Sequence, residues 1–290
     1  MSNFSDFIGG GGSASQVDEI VYLNDSANTV TLDDGRVYLK GGVFETNTST
    51  YPDATSSLQY TGTEFIVAQD PNITGIAWDG THFWVVGRGN DSVYKYNSSG
   101  VYQNVSFNVS SQMSNPVDIV SRGTLYVIEQ NGSNSKAYQY ANNVYQNTNF
   151  SVASQDIYPQ GIAYDGTYFW VIGQETSKVY KYASNGAYQN VNFSVLDTDQ
   201  YQVGITYDGT HFWTLSANTH KMYKYNTSGV YQNVAIDIGY VGTSPTGLVW
   251  DGTSFRITYA NSRVRQYANV IGIQSNAEPL IAGQNYVRIK

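Results

Sequence analysis

One segment of about ten residues recurs along this chain at a fixed spacing, and it constrains the fold more than any other feature. GIAWDGTHFW starts at Gly75, and close variants start at Gly161, Gly204 and Gly247. The last two intervals are 43 residues and the first is 86, which places a further copy at Asp118. There DIVSRGTLYV keeps the Gly and Thr of the pattern. A period of about 40–45 residues is typical of β-propeller blades.

Each repeat reads as four short strands. In the third copy the strand segments are GIAYD, YFWVIG, KVYKYA and AYQNVNFSV, and the turns between them contain DGT, QETS and SNG. Gly, Asn and Ser clusters favour turns. Tyr180 and Tyr182 alternate with Lys181, which is the period of a strand with one packed face. The sequence therefore predicts an all-β fold, a β-propeller of four-stranded blades, because an isolated blade cannot cover both of its faces.

The number of blades depends on how the ring closes. The fifth copy loses the outer-strand pattern that begins with YQN in the others. The segment TEFIVAQ, from Thr63 to Gln69, resembles those outer strands and precedes the first copy. We predict that it completes the fifth blade, giving five blades. A sixth blade from residues 17–59 is the alternative, since DDGRVYLKGG is faintly similar to DGTHFWVVG.

The ends of the chain differ from the repeats. Residues 1–16 carry four consecutive glycines after Phe4, Phe7 and Ile8. Because glycine runs are flexible, we predict an N-terminal arm that anchors the protein through these three apolar side chains. The predicted organisation is an arm over 1–16, a small β-rich flanking segment over 17–59, the propeller over 60–268, and a C-terminal strand segment over 269–290 that packs with the flanking region.

Composition excludes several classes of function. The chain has 290 residues, 13% charged residues, no cysteine and a net charge of −8. Without a strongly basic surface, binding through nucleic-acid phosphates is not expected. The absence of cysteine excludes disulfides and thiolate metal sites. No apolar run approaches the 18 or so residues of a membrane span, and the N-terminus lacks the basic start of a secretory signal.

The recurring polar and aromatic residues have a structural interpretation. An aspartate followed by Gly and Thr bonds the backbone of a turn, and a tryptophan on a repeated strand is expected in the core between blades. The aspartates are Asp79, Asp165, Asp208 and Asp251, and the tryptophans are Trp84, Trp170 and Trp213.

Catalytic groups are sparse in the predicted innermost strands. Beyond the turn aspartates these strands hold one acid, Asp118, whereas a glycosidase needs two carboxylates at a defined separation. His82 and His211 occupy one equivalent position on the strands, and His220 lies in a turn, which is not the pattern of a three-histidine metal site. We therefore predict no catalytic residue, no metal site and no cofactor, and a protein that is not an enzyme.

Binding residues are expected on the loops that join successive blades. Asp156 and Tyr158 lie in one such loop, and Asp199 and Tyr201 lie 43 residues further on. These matching Asp-x-Tyr pairs are predicted to line one groove on adjacent blades. Two aromatic rings and two carboxylates favour a neutral or cationic sugar over an anionic polymer. Ordinary polar loops are the alternative.

Two parts of the sequence resemble known protein families. The pattern PQGIAYDGTYFWVIGQETSKVYKYASNG resembles NHL-type propeller repeats over about 210 residues, which implies a fold and little about function. The flanks MSNFSDFIGGGG, VYLKGGVFETNTSTYPDA and YVRIK look like those of bacteriophage tail and other virion proteins.

The second resemblance implies a non-enzymatic structural component of a phage particle, tail-associated or on the particle surface. In that setting the arm contacts other virion proteins, and the propeller is displayed towards host-surface glycan or a neighbouring virion protein. A free carbohydrate-binding propeller lectin is the second interpretation, and a propeller hydrolase is the third.

Overall fold

The computed structural model describes residues 58–239 and 244–269, together with the backbone of four short strands at 20–22, 29–31, 37–39 and 286–288. The predicted anchoring residues Phe4, Phe7 and Ile8 lie outside the described residues. The chain divides into two compact units, one of residues 1–55 and 271–290 and one of residues 56–270.

The strands are numbered in chain order. β1 (Ile20–Tyr22), β2 (Thr29–Thr31), β3 (Val37–Leu39) and β4 (Leu58–Ile66) come first. Blade 1 contains β5 (Ile73–Trp78), β6 (His82–Gly87), β7 (Ser92–Asn97) and β8 (Tyr102–Asn108). Blade 2 contains β9 (Pro116–Ser121), β10 (Leu125–Glu129), a 3-10 turn (Gly132–Asn134), β11 (Lys136–Ala141) and β12 (Val144–Ser151). Blade 3 contains β13 (Pro159–Tyr164), β14 (Phe169–Gly173), β15 (Lys178–Tyr182) and β16 (Tyr188–Ser194). Blade 4 contains β17 (Gln202–Tyr207), β18 (Phe212–Ser216), β19 (Lys221–Tyr225) and β20 (Tyr231–Asp237). Blade 5 contains β21 (Pro245–Trp250), β22 (Phe255–Tyr259), β23 (Arg263–Asn269) and the earlier strand β4, and the last strand is β24 (Tyr286–Arg288).

The unit of residues 56–270 is a ring of five antiparallel blades. In blades 1 to 4 the strands pair in chain order, so the first strand of each blade is innermost. The innermost strands β5, β9, β13, β17 and β21 contact one another in sequence, and β21 also contacts β5. The predicted all-β propeller with five blades is confirmed. In the other unit, β1 pairs with β24 and β2 pairs with β3, both antiparallel.

The ring closes by joining the two ends of the repeat region. β4 runs antiparallel to β23, from Leu58 opposite Asn269 to Ile66 opposite Arg263. The Glu64 carboxylate bridges two arginines of β23, accepting the Nε–H of Arg265 at 2.9 Å and also bonding Arg263. The predicted closing segment is the right one. Its strand begins and ends earlier than Thr63 to Gln69, because pairing extends back along β23 and stops before the loop at Val67.

Aromatic side chains from neighbouring blades pack against each other. The Trp170 ring lies 4.7 Å from that of Phe212 in the next blade, and Trp213 lies 5.1 Å from Phe255. Trp84 is buried in a cluster with residues of blade 2. Burying an aromatic side chain contributes roughly 4–6 kcal/mol before entropy costs. The predicted role of the tryptophans in the core between blades is confirmed.

Prediction: removing the closing strand exposes the edge of blade 5. A chain that starts at Val67 lacks β4 but keeps all of β5 and the loop that Asp70 holds, and it leaves β23 with an unpaired edge, which promotes aggregation. A chain that starts at Ser57 keeps β4 and serves as the matched control. We expect the shorter chain to be insoluble or oligomeric in size-exclusion chromatography and the control to be monomeric and folded. A soluble monomer with the control's melting temperature contradicts this account of closure.

Candidate functional site

The aspartates of the DGT turns hold their own hairpins. Asp79 Oδ1 accepts the backbone N–H groups of Thr81 at 2.8 Å and His82 at 2.7 Å, and Oδ2 accepts the indole Nε1–H of Trp84 at 2.7 Å. Burial alone would raise the pKa of Asp79, but these hydrogen bonds outweigh it and lower the pKa. The turn interpretation is confirmed. The same bonds join Asp165 to Trp170 and Asp208 to Trp213, while Asp251 binds Ser254 and Arg256 instead.

The aspartates of the two predicted binding loops are also occupied by the backbone. Asp156 is 3% exposed; its Oδ1 accepts the N–H of Tyr158 at 2.7 Å and its Oδ2 accepts the N–H of Thr176 at 2.9 Å. Asp199 is 8% exposed, and its Oδ1 accepts the N–H of Tyr201 at 2.6 Å. Both carboxylates therefore lie beneath the loops and fix the residues that carry the tyrosines.

Other blades support this structural role. Asp70 occupies the equivalent loop position in blade 1, is 1% exposed and accepts the N–H groups of three nearby residues. A Cβ on Gly87 would lie 2.3 Å from the Asp70 carboxyl carbon, so the glycine makes room for the acid. In blade 2 the acid comes from the other side of this contact: Met113 replaces the loop aspartate, and Glu129 replaces the glycine. Blade 2 therefore also has one buried carboxylate here, but the strand supplies it instead of the loop.

The two tyrosines are on the surface and share one groove. Tyr158 is 42% exposed and Tyr201 is 46% exposed. Their backbone carbonyls accept the N–H groups of Gln174 and Ala217, at 2.9 and 3.1 Å. The groove has a volume of about 430 Å³. Its lining residues are Gln130, Tyr158, Gln174, Glu175, Ser177, Gln200 and Tyr201.

Five polar residues of this groove were not predicted from the sequence: Gln130, Gln174, Glu175, Ser177 and Gln200. Gln200 lies in an inter-blade loop, whereas the other four lie in loops that follow the second strand of a blade. Only the fold brings these loops beside the next inter-blade loop. These residues could have been found by comparing the repeats, because the residue type differs between blades at such a position: Gln174 corresponds to Ala217 in the following blade.

Asp118 is the acid on the innermost strands, and it lies at the centre of the ring. Asp118 occupies the repeat position that is glycine in the other four blades. The innermost strands approach closely at this position, since a Cβ on Gly161 would lie 3.0 Å from the Cα of Gly204. Asp118 is 1% exposed; its Oδ2 accepts the N–H of Ile162 at 2.8 Å, and its Oδ1 has no partner among the described residues. Burial raises the pKa of this carboxyl well above its usual value. A group so enclosed is not accessible to substrate in this structure.

The histidines are dispersed in the described part of the chain. His82 and His211 are partly exposed at the DGT hairpins, and His220 lies in a turn with φ of 53°. Within residues 58–239 and 244–269, no three His, Asp or Glu side chains are grouped so that they could hold a metal ion. The same residues include no helix of the length and apolarity that a membrane crossing requires.

The comparisons with known proteins show the fold. Similar solved structures include glutaminyl cyclase from Myxococcus xanthus, with a TM-score of 0.56 and 11% identity over 72% of this chain and 95% of the other. A catalytically inactive variant of virginiamycin B lyase from Staphylococcus aureus, with quinupristin, has a TM-score of 0.46 and 13% identity over 87% and 99%. Regucalcin from Agrobacterium tumefaciens, a calcium-binding protein, has a TM-score of 0.46 and 13% identity over 67% and 74%. No family model matches the sequence, and no curated protein is similar to it.

One prediction from the sequence is wrong in the light of these structures. The scarcity of acids in the innermost strands led to the expectation that the chain is not an enzyme. Glutaminyl cyclase is an enzyme built on the same fold, so a propeller of this kind is compatible with catalysis and the exclusion does not hold. At this level of identity the likeness shows the β-propeller fold and transfers no activity.

Prediction: the Asp118 carboxyl makes stability depend on pH. A group whose pKa is raised by folding contributes its full stability below its unfolded pKa, about 4, and loses it as the pH rises through the raised value. Asp118→Asn keeps the shape without the ionisation. We expect urea unfolding between pH 4 and pH 9 to show a smaller loss of stability for the variant than for the wild type. Identical pH slopes contradict the assignment.

Proposed function

We propose that this protein is a carbohydrate-binding β-propeller whose ligand occupies the groove at Tyr158 and Tyr201. The observation that carries the proposal is a pair of exposed tyrosines on adjacent blades, each held in position by a buried aspartate beneath its loop. Loops on a rigid scaffold are where binding residues usually lie. Because the loops are fixed before binding, little ordering entropy opposes the ligand.

The chemistry of the groove suits a sugar. Tyrosine offers an apolar face for the C–H side of a pyranose and a hydroxyl for hydrogen bonding. Gln130, Gln174 and Gln200 line the same groove, and a glutamine amide both donates and accepts hydrogen bonds, as sugar hydroxyls do. A volume of about 430 Å³ is within the range of about 300–1,000 Å³ for small-molecule sites. None of the seven lining residues is basic, which disfavours anionic polymers.

Prediction: removing both rings weakens glycan binding without unfolding the protein. The double variant Tyr158→Ala, Tyr201→Ala deletes two exposed rings, so we expect binding on a glycan array and to host cells to fall about tenfold or more, with the melting temperature within about two degrees of wild type. Leu196→Ala is the control, because Leu196 is 59% exposed in the loop before Tyr201 but does not line the groove. Unchanged binding by the double variant sinks the proposal. Analysis of each bound glycan for cleavage products tests the hydrolase interpretation in the same samples.

We further propose that the propeller is displayed on a phage particle, tail-associated or on its surface, where it contacts host-surface glycan. The support is the resemblance of the flanking segments to virion proteins and the N-terminal sequence, in which four glycines follow Phe4, Phe7 and Ile8. A free propeller lectin is the alternative, and such a lectin needs no apolar anchoring residues of this kind.

Prediction: deleting residues 1–12 separates folding from incorporation. The propeller core lies within residues 56–270, so its melting temperature is expected to stay unchanged. Incorporation is expected to be lost, because burying three apolar side chains on a partner contributes roughly 5–8 kcal/mol before ordering costs. Quantitative mass spectrometry of purified particles measures the chain. Normal incorporation of the truncated chain, or absence of the intact chain from particles, contradicts the virion assignment and favours the lectin.

A further inference from the structure

Glu175 is a groove residue whose carboxylate the fold does not use. It is exposed in the loop between β14 and β15 and has no hydrogen bond or ion pair within the described residues. Its neighbours in that loop are fixed: the Gln174 N–H donates to the Tyr158 carbonyl at 2.9 Å, and the Thr176 N–H and Oγ1–H donate to Asp156 at 2.9 and 2.6 Å. The backbone on both sides of Glu175 is therefore held in place in front of the groove.

The acids of the predicted site and this acid differ in one respect that decides their roles. Asp156 and Asp199 are buried, and each accepts a backbone N–H from the loop that carries its tyrosine. Glu175 is exposed and lines the groove together with both tyrosine rings. It is the one carboxylate among the seven lining residues, and none of the seven is Lys or Arg. Glu175 is therefore the exposed acid of the groove lining, and the buried carboxylates of Asp156 and Asp199 beneath the loops add to the negative charge of this region.

Both the tyrosine rings and the Glu175 carboxylate favour binding of a cationic group. The face of a tyrosine ring carries the negative part of its quadrupole, so an ammonium group near the ring is attracted to it. The carboxylate adds a charge-assisted hydrogen bond, which is stronger than a neutral one. A neutral substituent in the same place would displace water from Glu175 without replacing the lost hydrogen bonds, which costs binding free energy.

We propose that the groove selects amino sugars with a free, protonated amine, and that Glu175 is the residue that reads the charge. The proposal rests on the proposed function, since it takes the groove at Tyr158 and Tyr201 to be a sugar site. It adds a specificity that the tyrosines and glutamines cannot supply, because rings and amides also accept neutral sugars.

The test compares two oligosaccharides that differ in the amine alone. Isothermal titration calorimetry on the full chain measures binding of a glucosamine tetramer and an N-acetylglucosamine tetramer, at a pH that keeps the free amine protonated. The wild type is expected to bind the glucosamine tetramer about tenfold more tightly, and this preference is expected to shrink at high salt. Glu175→Gln is expected to remove the preference, because it weakens binding of the glucosamine tetramer and relieves the desolvation cost that the carboxylate imposes on the N-acetylated one.

Asp197→Asn is the matched control. It removes the same charge from an exposed acid in an inter-blade loop, outside the groove lining, and is expected to keep the preference. Equal binding of the two tetramers by the wild type, no binding of either, or a preference that survives Glu175→Gln overturns the proposal. If the N-acetylated tetramer still binds and the double tyrosine variant abolishes that binding, the failure is confined to the amine specificity and the sugar site stands.

Discussion

Mutual coverage of the blades is the constraint on which the whole propeller depends. Each blade packs an aromatic side chain against its neighbour, as Trp170 does on Phe212, so no blade is stable with one face exposed. A linear array would leave two uncovered faces, and the chain avoids this by pairing β4 with β23 and binding Glu64 to two arginines across that junction. Without cysteine, no disulfide joins the two ends, so strand pairing and side-chain packing hold the ring closed.

A second constraint is the use of carboxylates inside the repeat. Asp79 and its equivalents hold the hairpin turn and a tryptophan, while Asp70, Asp156 and Asp199 hold the inter-blade loop. Most acids that look functional in the sequence are therefore bound to backbone N–H groups. The groove is left with exposed rings, amides and one acid, and its rigidity comes from the buried carboxylates beneath it.

The sequence predicted the fold well because the signal is periodic. Spacing alone located the blades, and the closing strand could be found because its segment resembles the other outer strands. Local insertions and deletions were not predicted: the first hairpin of blade 2 is one residue shorter, since the Arg122 N–H bonds Thr124 where the Asp79 N–H bonds His82. Because later loops of the same blade compensate for the missing residue, the 43-residue spacing is unchanged and the shorter hairpin cannot be seen from the spacing.

The candidate site was predicted in part, and for a physical reason. Tyr158 and Tyr201 line one groove, but spacing does not reveal which way a side chain points, so the burial of the adjacent aspartates was not foreseen. The structural role of Asp156 was visible in its recurrence, because Asp70 precedes it by two repeats. A residue that recurs at the same repeat position usually stabilises the blade. Glu175 entered the site through a contact between loops of different blades, which no local pattern encodes.

A crystal structure of the full chain with a bound oligosaccharide tests the central claim most directly. The account predicts a sugar ring against Tyr158 or Tyr201, with its hydroxyls bonded to the glutamines of the groove and with Asp156 and Asp199 still bonded to their loops. A sugar bound elsewhere on the ring, or an empty groove in a crystal where the ligand binds in solution, contradicts it.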